Sequence, residues 1–403
     1  MKTQMMKRTV LPFMMLLLLA SCNQKPEQSG CIQADIRGEL GKASTLGLAD
    51  EITGVNYVPL EMTKDEASLI DGVTTFVVTS RYIYVVPVKE MRVVQFDRKG
   101  HFIKNLIKFG QGPGEVNDAI SNMQADEKND RLYLFGAGQI LVYTTEGKFL
   151  QKIAHKYQSV FESKVGEDRY AAVSFPYVPF DSGFGLGIFS SKGDTLLTKK
   201  DFYSPVVPHE KSGFTACLAV TYCDCQNSIL FKTGSNDTIY RISKDAIDPV
   251  CALNLKNSEK EVKRSLDITD FSVLQGNQGE DKDIFVSDLF ETPKCFYFRF
   301  RYNQGHCVAS VDKNTGATLV EKCEQAADLK EMAKANLLHG MTGTRSFKGF
   351  PIWGRMAGDE LVQVITPYEL SLYRENNKIT IPSELQKLPE EGNPVFIFYQ
   401  IKK

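Results

Sequence analysis

Between residues 81 and 153 the chain passes twice through the same order of apolar and polar positions. Each pass is a short β-rich run, a gap, a second β-rich run, a turn ending in glycine, and a third run that alternates apolar with polar. The first pass is Arg81-Tyr-Ile-Tyr-Val, then Arg92-Val-Val-Gln-Phe-Asp-Arg-Lys-Gly100, then His101-Phe-Ile-Lys-Asn-Leu106. The second is Arg131-Leu-Tyr-Leu-Phe, then Gln139-Ile-Leu-Val-Tyr-Thr-Thr-Glu-Gly147, then Lys148-Phe-Leu-Gln-Lys-Ile153. A third copy runs through Gly187-Ile-Phe-Ser-Ser-Lys-Gly193-Asp-Thr-Leu-Leu. Its turn glycine follows Gly147 by 46 residues, where Gly147 follows Gly100 by 47.

Later copies are looser. Ser228-Ile-Leu-Phe-Lys with Asn236-Asp-Thr-Ile-Tyr-Arg-Ile-Ser-Lys244 forms a fourth, with Lys244 at the turn. Phe296-Tyr-Phe-Arg-Phe-Arg-Tyr followed by Val308 to Gly316 forms a fifth, and Gly358-Asp-Glu-Leu-Val-Gln-Val-Ile with Asn393 to Gln400 forms the last. A period in the forties, several strands per period and no helix between them mark propeller blades. The sequence therefore predicts an all-β chain, a six-bladed β-propeller with short helical insertions. Stacked β-sandwiches are the competing architecture, but their strands recur at roughly 8 to 12 residues without a longer period.

Closing a ring removes exposed strand edges. The run Ile52-Thr-Gly-Val-Asn-Tyr-Val-Pro-Leu60 is the expected partner for the C-terminal run, so that both ends of the chain share one blade. The helical insertions are expected at Ser258 to Leu274, with Val262, Leu266 and Ile268, and at Ala326 to Leu338, with Leu329, Met332, Ala333 and Leu337 on one face. Neither is long enough to build its own core.

The first residues change the picture. Lys2, Lys7 and Arg8 precede an apolar core of 11 residues from Val10 to Ala20, the layout of a secretory signal. That run is too short for a membrane span, which needs about 20 residues. Leu19-Ala20-Ser21-Cys22 resembles the bacterial lipobox, which implies cleavage before Cys22 and diacylation of its sulfur. Two acyl chains hold a soluble domain stably at a membrane. The chain is expected to divide into a signal over 1–21, a lipidated cysteine and flexible tether over 22–45, and the propeller over 46–403. Residues 23–31 are polar and carry Pro and Gly, as a tether does.

Removal of residues 1–21 from the 403 leaves 382, takes away three positive charges and no negative ones, and moves the formal charge from −1 to −4. That balance argues against a nucleic-acid partner, which demands a basic excess. It is compatible with a protein, peptide or carbohydrate ligand.

Tyr57-Val-Pro-Leu-Glu61, the block from Ile83-Tyr-Val through Phe96-Asp to Gly100, the loop Gly110-Gln-Gly-Pro-Gly-Glu115 and the strand Asn236-Asp-Thr-Ile-Tyr240 together resemble the six-bladed β-propeller lipoproteins abundant in Bacteroidetes, relatives of the NHL-repeat propellers. The resemblance covers about residues 50 to 402, and the Gly110 to Glu115 loop is its most specific element. It implies a fold and an anchor, and little chemistry.

The same loop is not a phosphate cradle, since it lacks the Gly-Lys-Ser/Thr and the helix that such a loop requires; it suits a tight connection between blades. Apart from Cys22, the cysteines are Cys31, Cys217, Cys223, Cys225, Cys251, Cys295, Cys307 and Cys323, and eight cysteines allow 105 pairings. Cys217, Cys223 and Cys225 with His209 do not have zinc-site spacing. Cys223 and Cys225 share a face if they lie in a strand, which suits buried thiols or one disulfide. The histidines His101, His155, His209, His306 and His339 are scattered, and His101 and His155 are expected to face solvent at blade ends. A related class of propeller lyases holds zinc on three histidines at the channel.

The carboxylate pairs Asp126-Glu127 and Glu390-Glu391 read as polar loop sequence, and Trp353 as core or rim packing, with stacking on a sugar at the channel mouth as the alternative. No Gly-x-Ser-x-Gly elbow or His-Glu-x-x-His is present. The sequence assigns no catalytic residue, metal ligand or cofactor. Its functional expectation is an extracytoplasmic lipoprotein at the outer membrane, facing the periplasm or exposed at the cell surface, whose propeller binds a ligand or protein through loops at one end of its channel. The alternative is a metal-dependent lyase or hydrolase using the same channel.

Overall fold

The computed structural model describes residues 30–42, 44, 46–90, 92–112, 114–136, 138–157, 159–174, 186–199, 220–225, 227–233, 236–256, 283–303, 305–321, 324–325, 355–375, 381–389 and 391–402. Six small sheets form the blades of a ring, as the repeat predicts. Blade one spans 73–107, blade two 120–154, blade three 159–199, blade four 220–253, blade five 285–320 and blade six 355–401. In blades one, two, three and five the strands run antiparallel in sequence order from the channel outward, while blades four and six each take an outermost strand from the N-terminal part of the chain.

Burial follows from that arrangement. A middle strand is covered by a neighbouring blade on both faces, so it loses the apolar/polar alternation of a half-exposed strand. Gln139–Tyr143 is buried at every position and Tyr82–Pro87 at all but the first. An outer strand such as Phe149–Ala154 is exposed at all but one. The core is a series of layers between blades rather than one central mass. Phe76, Ile83, Val85 and Phe96 of blade one meet Val362, Phe396 and Phe398 of blade six, for instance. The turns before the outer strands of blades one, two, three and five are made by Gly100, Gly147, Gly193 and Gly316, all at positive φ.

The ring closes where the sequence places the closure. Ile52–Pro59 pairs antiparallel with the C-terminal strand Val395–Ile401, from Ile52 opposite Ile401 to Pro59 opposite Val395. Asn393 clasps the junction: its amide nitrogen donates to the carbonyls of Glu61 and Ser68, and its amide oxygen accepts from the Ile70 nitrogen at 2.7 Å.

The segment 22–45, expected as a flexible tether, departs from that expectation from Ile32 onward. Ile32–Ala34 is a fifth strand on the outer edge of blade four, parallel to Ile247–Leu253. Arg37 then donates through Nε to the Leu255 carbonyl and lies over the Tyr302 ring. Ala34, Ile36, Leu46 and Leu48 are all buried. Ile32–Ala34 covers an otherwise bare strand edge, and Ala34, Ile36, Leu46 and Leu48 join the hydrophobic core there.

The described helical insertion lies in blade six, where Pro367–Arg374 and Ser383–Gln386 fall between the strands Glu360–Ile365 and Val395–Ile401. Thr366 and Glu369 close a capping box at the start of the first helix. The insertions expected over 258–274 and 326–338 lie outside the described residues.

Candidate functional site at the channel mouth

The innermost strands of the blades are Val73–Val78, Ile120–Asp126, Ser159–Gly166, Val220–Asp224, Phe285–Glu291 and Arg355–Ala357. A cavity of ≈ 980 Å³ opens where those of blades one, two, three, four and six end and turn back into their second strands. It lies in the size range of ligand sites, about 300–1,000 Å³.

The rim is latched blade to blade by polar contacts. Arg98 of blade one pairs with Glu360 of blade six at 2.6 Å and lies over the Phe398 ring. Ser80 of blade one donates its backbone nitrogen and its hydroxyl to the two oxygens of Glu127 in blade two. Asp126 of blade two faces the Lys164 amine of blade three at 3.4 Å. Burial would raise the Asp126 carboxyl, but the Asn129 hydrogen bonds and the Lys164 charge hold it below its usual range.

The floor is deeper and more polar. Gln124 donates through Nε2 to Ser163 Oγ and to Asp224 Oδ2, both at 2.6 Å, while its oxygen accepts from the Lys164 backbone nitrogen. Burial pushes the Asp224 carboxyl up, against the opposing charge of Arg355 and the bonds from Gln124, Asn122 and Ser163. Arg355 donates through Nη1 to Thr75 Oγ1, the Phe76 carbonyl and Asn122 Oδ1, and its guanidinium carbon stands 5.2 Å from the Phe76 ring centre. One blade-six side chain is thereby fixed against blades one and two.

The pair Asp126-Glu127, expected in unremarkable loop sequence, thus sits on the cavity rim. Arg355, Asp224, Gln124 and Lys164 were not singled out by the sequence at all. The available signal was polar residues inside strands, as in Ile120-Ser-Asn-Met-Gln-Ala-Asp126, at matching places in successive repeats.

The Gly110 to Glu115 loop joins the outer strand of blade one to the inner strand of blade two, as expected of a connection between blades. Glu115 accepts from the Gly112 nitrogen and the Gly110 nitrogen bonds the Val116 carbonyl. Pro113 lies outside the described residues.

The described histidines are apart. His101 is exposed and its Nδ1 lies 2.9 Å from Asp97 Oδ2. His306 Nδ1 is 3.2 Å from Arg299 Nη2. His155 corrects the expectation of solvent exposure: its side chain is fully buried, 3.1 Å from the equally buried Glu162 and stacked on Tyr157. It lies on the crossing from blade two to blade three, where Phe189 closes over it at 4.7 Å between ring centres. His209, His339 and Trp353 lie outside the described residues, as do Cys22, Cys217 and Cys323. Among the described residues no three His, Cys, Asp or Glu side chains converge as a metal site.

Cys307 is disulfide-bonded, and Cys31, Cys223, Cys225, Cys251 and Cys295 are free thiols. Cys225 is pushed well above the usual thiol range by its hydrogen bond with Cys223 and by burial. Burial also raises Cys251 to about 12 and Cys295 to about 11. Such thiols are poor nucleophiles at neutral pH. Among the described residues no helix is long and apolar enough to cross a membrane.

Residues 31–400 match the family model described as a domain of unknown function, DUF4934, and the chain belongs to that family. No curated protein matches it in sequence. A solved Bacteroides fragilis protein, described only by its inferred export, is similar to this chain with a TM-score of 0.65 at 17% identity, covering 93% of this chain and 100% of its own. A Bacteroides caccae protein of unknown function has a TM-score of 0.38 at 13% identity, covering 64% of this chain and 85% of its own. The WD40 domain of Neurospora crassa Pan2 has a TM-score of 0.34 at 11% identity, covering 65% and 71%. At these identities the likeness concerns the fold.

Proposed function

We propose that this member of the family is an extracytoplasmic binding module, held at the outer membrane by a lipid on Cys22 and facing the periplasm, which takes a ligand in the channel-mouth cavity and releases it unchanged. The observation that carries the reading is the cavity itself, walled by five blades and lined by side chains from separate repeats. A rigid ring that presents loop residues around a cavity at one end suits recognition. The Leu-Ala-Ser-Cys tetrad supports the anchor, and the formal charge near neutrality supports a protein, peptide or carbohydrate ligand over nucleic acid.

Two measurements test this. Wild-type protein expressed with a labelled fatty acid takes up label and fractionates with membranes, whereas Cys22→Ala does neither; an unlabelled wild type overturns the anchor. For the site, Glu167→Trp places a large ring at an exposed position on the cavity wall. Ligands captured from periplasmic extract by the wild type are then lost. Undiminished capture by this variant overturns the assignment to the cavity.

A further inference from the structure

The chemistry of the cavity floor narrows the ligand. Arg355 is held by one nitrogen only: Nη1 makes three hydrogen bonds to protein acceptors, and the ring of Phe76 supports the guanidinium plane. Among the described residues, Nε and Nη2 have no hydrogen-bond partner, and no carboxylate stands within ion-pair distance. These two nitrogens form the side-on edge of the guanidinium, two parallel N–H donors that match the two oxygens of a carboxylate. The fork is preorganised, because its orientation is fixed before a ligand arrives.

Across the floor, Asp224 accepts from Gln124 and Ser163 on Oδ2 and also from Asn122, three bonds in all. A carboxylate has about four lone-pair directions, so it retains acceptor capacity for a hydroxyl or amine on the ligand. Lys164 adds a second cation, with one carboxylate at 3.4 Å. The lining as a whole contains five carboxylates, Asp126, Glu127, Glu167, Asp224 and Glu360, against four cations. A doubly charged phosphate or sulfate meets more repulsion there than a singly charged, planar carboxylate does.

Resting on the assignment of ligand binding to this cavity, we propose that it takes a ligand carrying a carboxylate next to hydrogen-bond donors, with the carboxylate on the Nε/Nη2 edge of Arg355 and a donor group on Asp224. An acidic sugar and the carboxyl end of a peptide both present that chemistry.

Titration calorimetry on the wild-type protein with matched probe pairs distinguishes them. The pairs are a galacturonic acid tetramer with its methyl ester, and an alanine tetrapeptide with its C-terminal amide; inorganic phosphate is the competitor. The expected result is saturable binding of one acid and at least about a tenfold loss for its neutral partner, equivalent to 1.4 kcal/mol. Binding of the sugar acid or of the peptide acid identifies the source. Arg355→Gln and, separately, Asp224→Asn each lower that affinity at least about tenfold. Arg355 also ties three blades, so Asp224→Asn and the ester and amide comparisons keep the test independent of whether Arg355→Gln folds.

The proposal is overturned if neither acid saturates at millimolar concentration, if the neutral partner binds within twofold of the acid, or if phosphate competes as well as the acid does. If the neutral partner binds and Glu167→Trp abolishes it, the cavity is a site for a different chemistry. If an acid binds Glu167→Trp as it binds the wild type, its site is elsewhere and the cavity assignment itself falls.

Discussion

The guanidinium of Arg241 in blade four meets the carboxylate of Glu291 in blade five edge to edge, Nη1 to Oε1 and Nη2 to Oε2, both at 2.8 Å. Lys313 adds its amine to the same carboxylate, and Ser228 accepts from Arg241 at 3.1 Å. This cluster binds the end of one inner strand to the neighbouring blade. It is partly buried, so removing one member leaves the others without compensation.

Acid stability follows from that pair. Burial alone would raise Glu291, but the hydrogen bonds and charges of Arg241 and Lys313 bring it down to about 2 from an ordinary 4.5. A carboxylate lowered in the folded state contributes stability that is complete above its unfolded value and is lost as pH falls through the folded one. The contribution at neutral pH is about 3 kcal/mol. Glu291→Gln should lower the denaturation midpoint at pH 7, and the gap to wild type should narrow between about pH 5 and pH 2. Parallel pH profiles for the two proteins would show that the cluster contributes nothing of this kind.

The Asn393 clasp makes the second prediction. Three backbone groups of the 61–70 segment bond to this one buried amide. Asn393→Ala leaves them without partners, which costs about 1–3 kcal/mol for each buried group left unsatisfied. The melting temperature should fall and hydrogen exchange should quicken in the closing strand Ile52–Pro59 before it does in blade three. Uniform exchange across the ring would mean that the clasp does not govern closure.

The strand Ile32–Ala34 makes the third. Cys251, its neighbour on blade four, has no exposure while that strand is in place. A chain starting at residue 31 should melt like one starting at residue 22. A chain starting at residue 39 loses the burial of Ala34 and Ile36, about 2–4 kcal/mol, and Cys251 should then react with a maleimide in the folded protein. Equal labelling of the two truncations would separate the fold of blade four from its fifth strand.

The repeat was legible because the second to fourth strands of each blade are fixed by packing between neighbours. Tyr82–Pro87 and Gln139–Tyr143 are nearly all apolar for that reason, and the turn at Gly100 recurs at Gly147 and Gly193. The inner strands were not read as members of the repeat, since they border the channel and carry Asn122, Gln124, Ser163 and Asp224, which weaken the β pattern. The site was therefore hidden where the fold signal is weakest. Arg355 and Asp224 lie 131 residues apart in the chain, and only ring closure makes them neighbours across a floor. The buried His155 escaped for a similar reason: its partners Glu162 and Phe189 belong to the next blade. Ile32–Ala34 was masked by the polar composition on either side of three residues.

The last prediction contrasts two turn glycines at positive φ. Gly100 has φ +87° and a Cβ there would stand 2.2 Å from the Pro59 carbonyl oxygen; Gly358 has φ +65° with nothing within 4 Å of that position. An alanine in the left-handed region costs about 1–2 kcal/mol at either site. At Gly100 it must also displace Pro59, the last residue of the closing strand, whose partner is Val395. Overpacking of that kind adds about 1–3 kcal/mol. Gly358→Ala should therefore lower the denaturation midpoint modestly, while Gly100→Ala should lower it by about twice as much and shift the exchange of Ile52–Pro59. Gly358 borders the channel-mouth cavity, so its variant also reports whether the mouth tolerates a methyl group. Equal destabilisation by the two substitutions would mean that Pro59 yields freely, and that the turn of blade one does not support the closing strand.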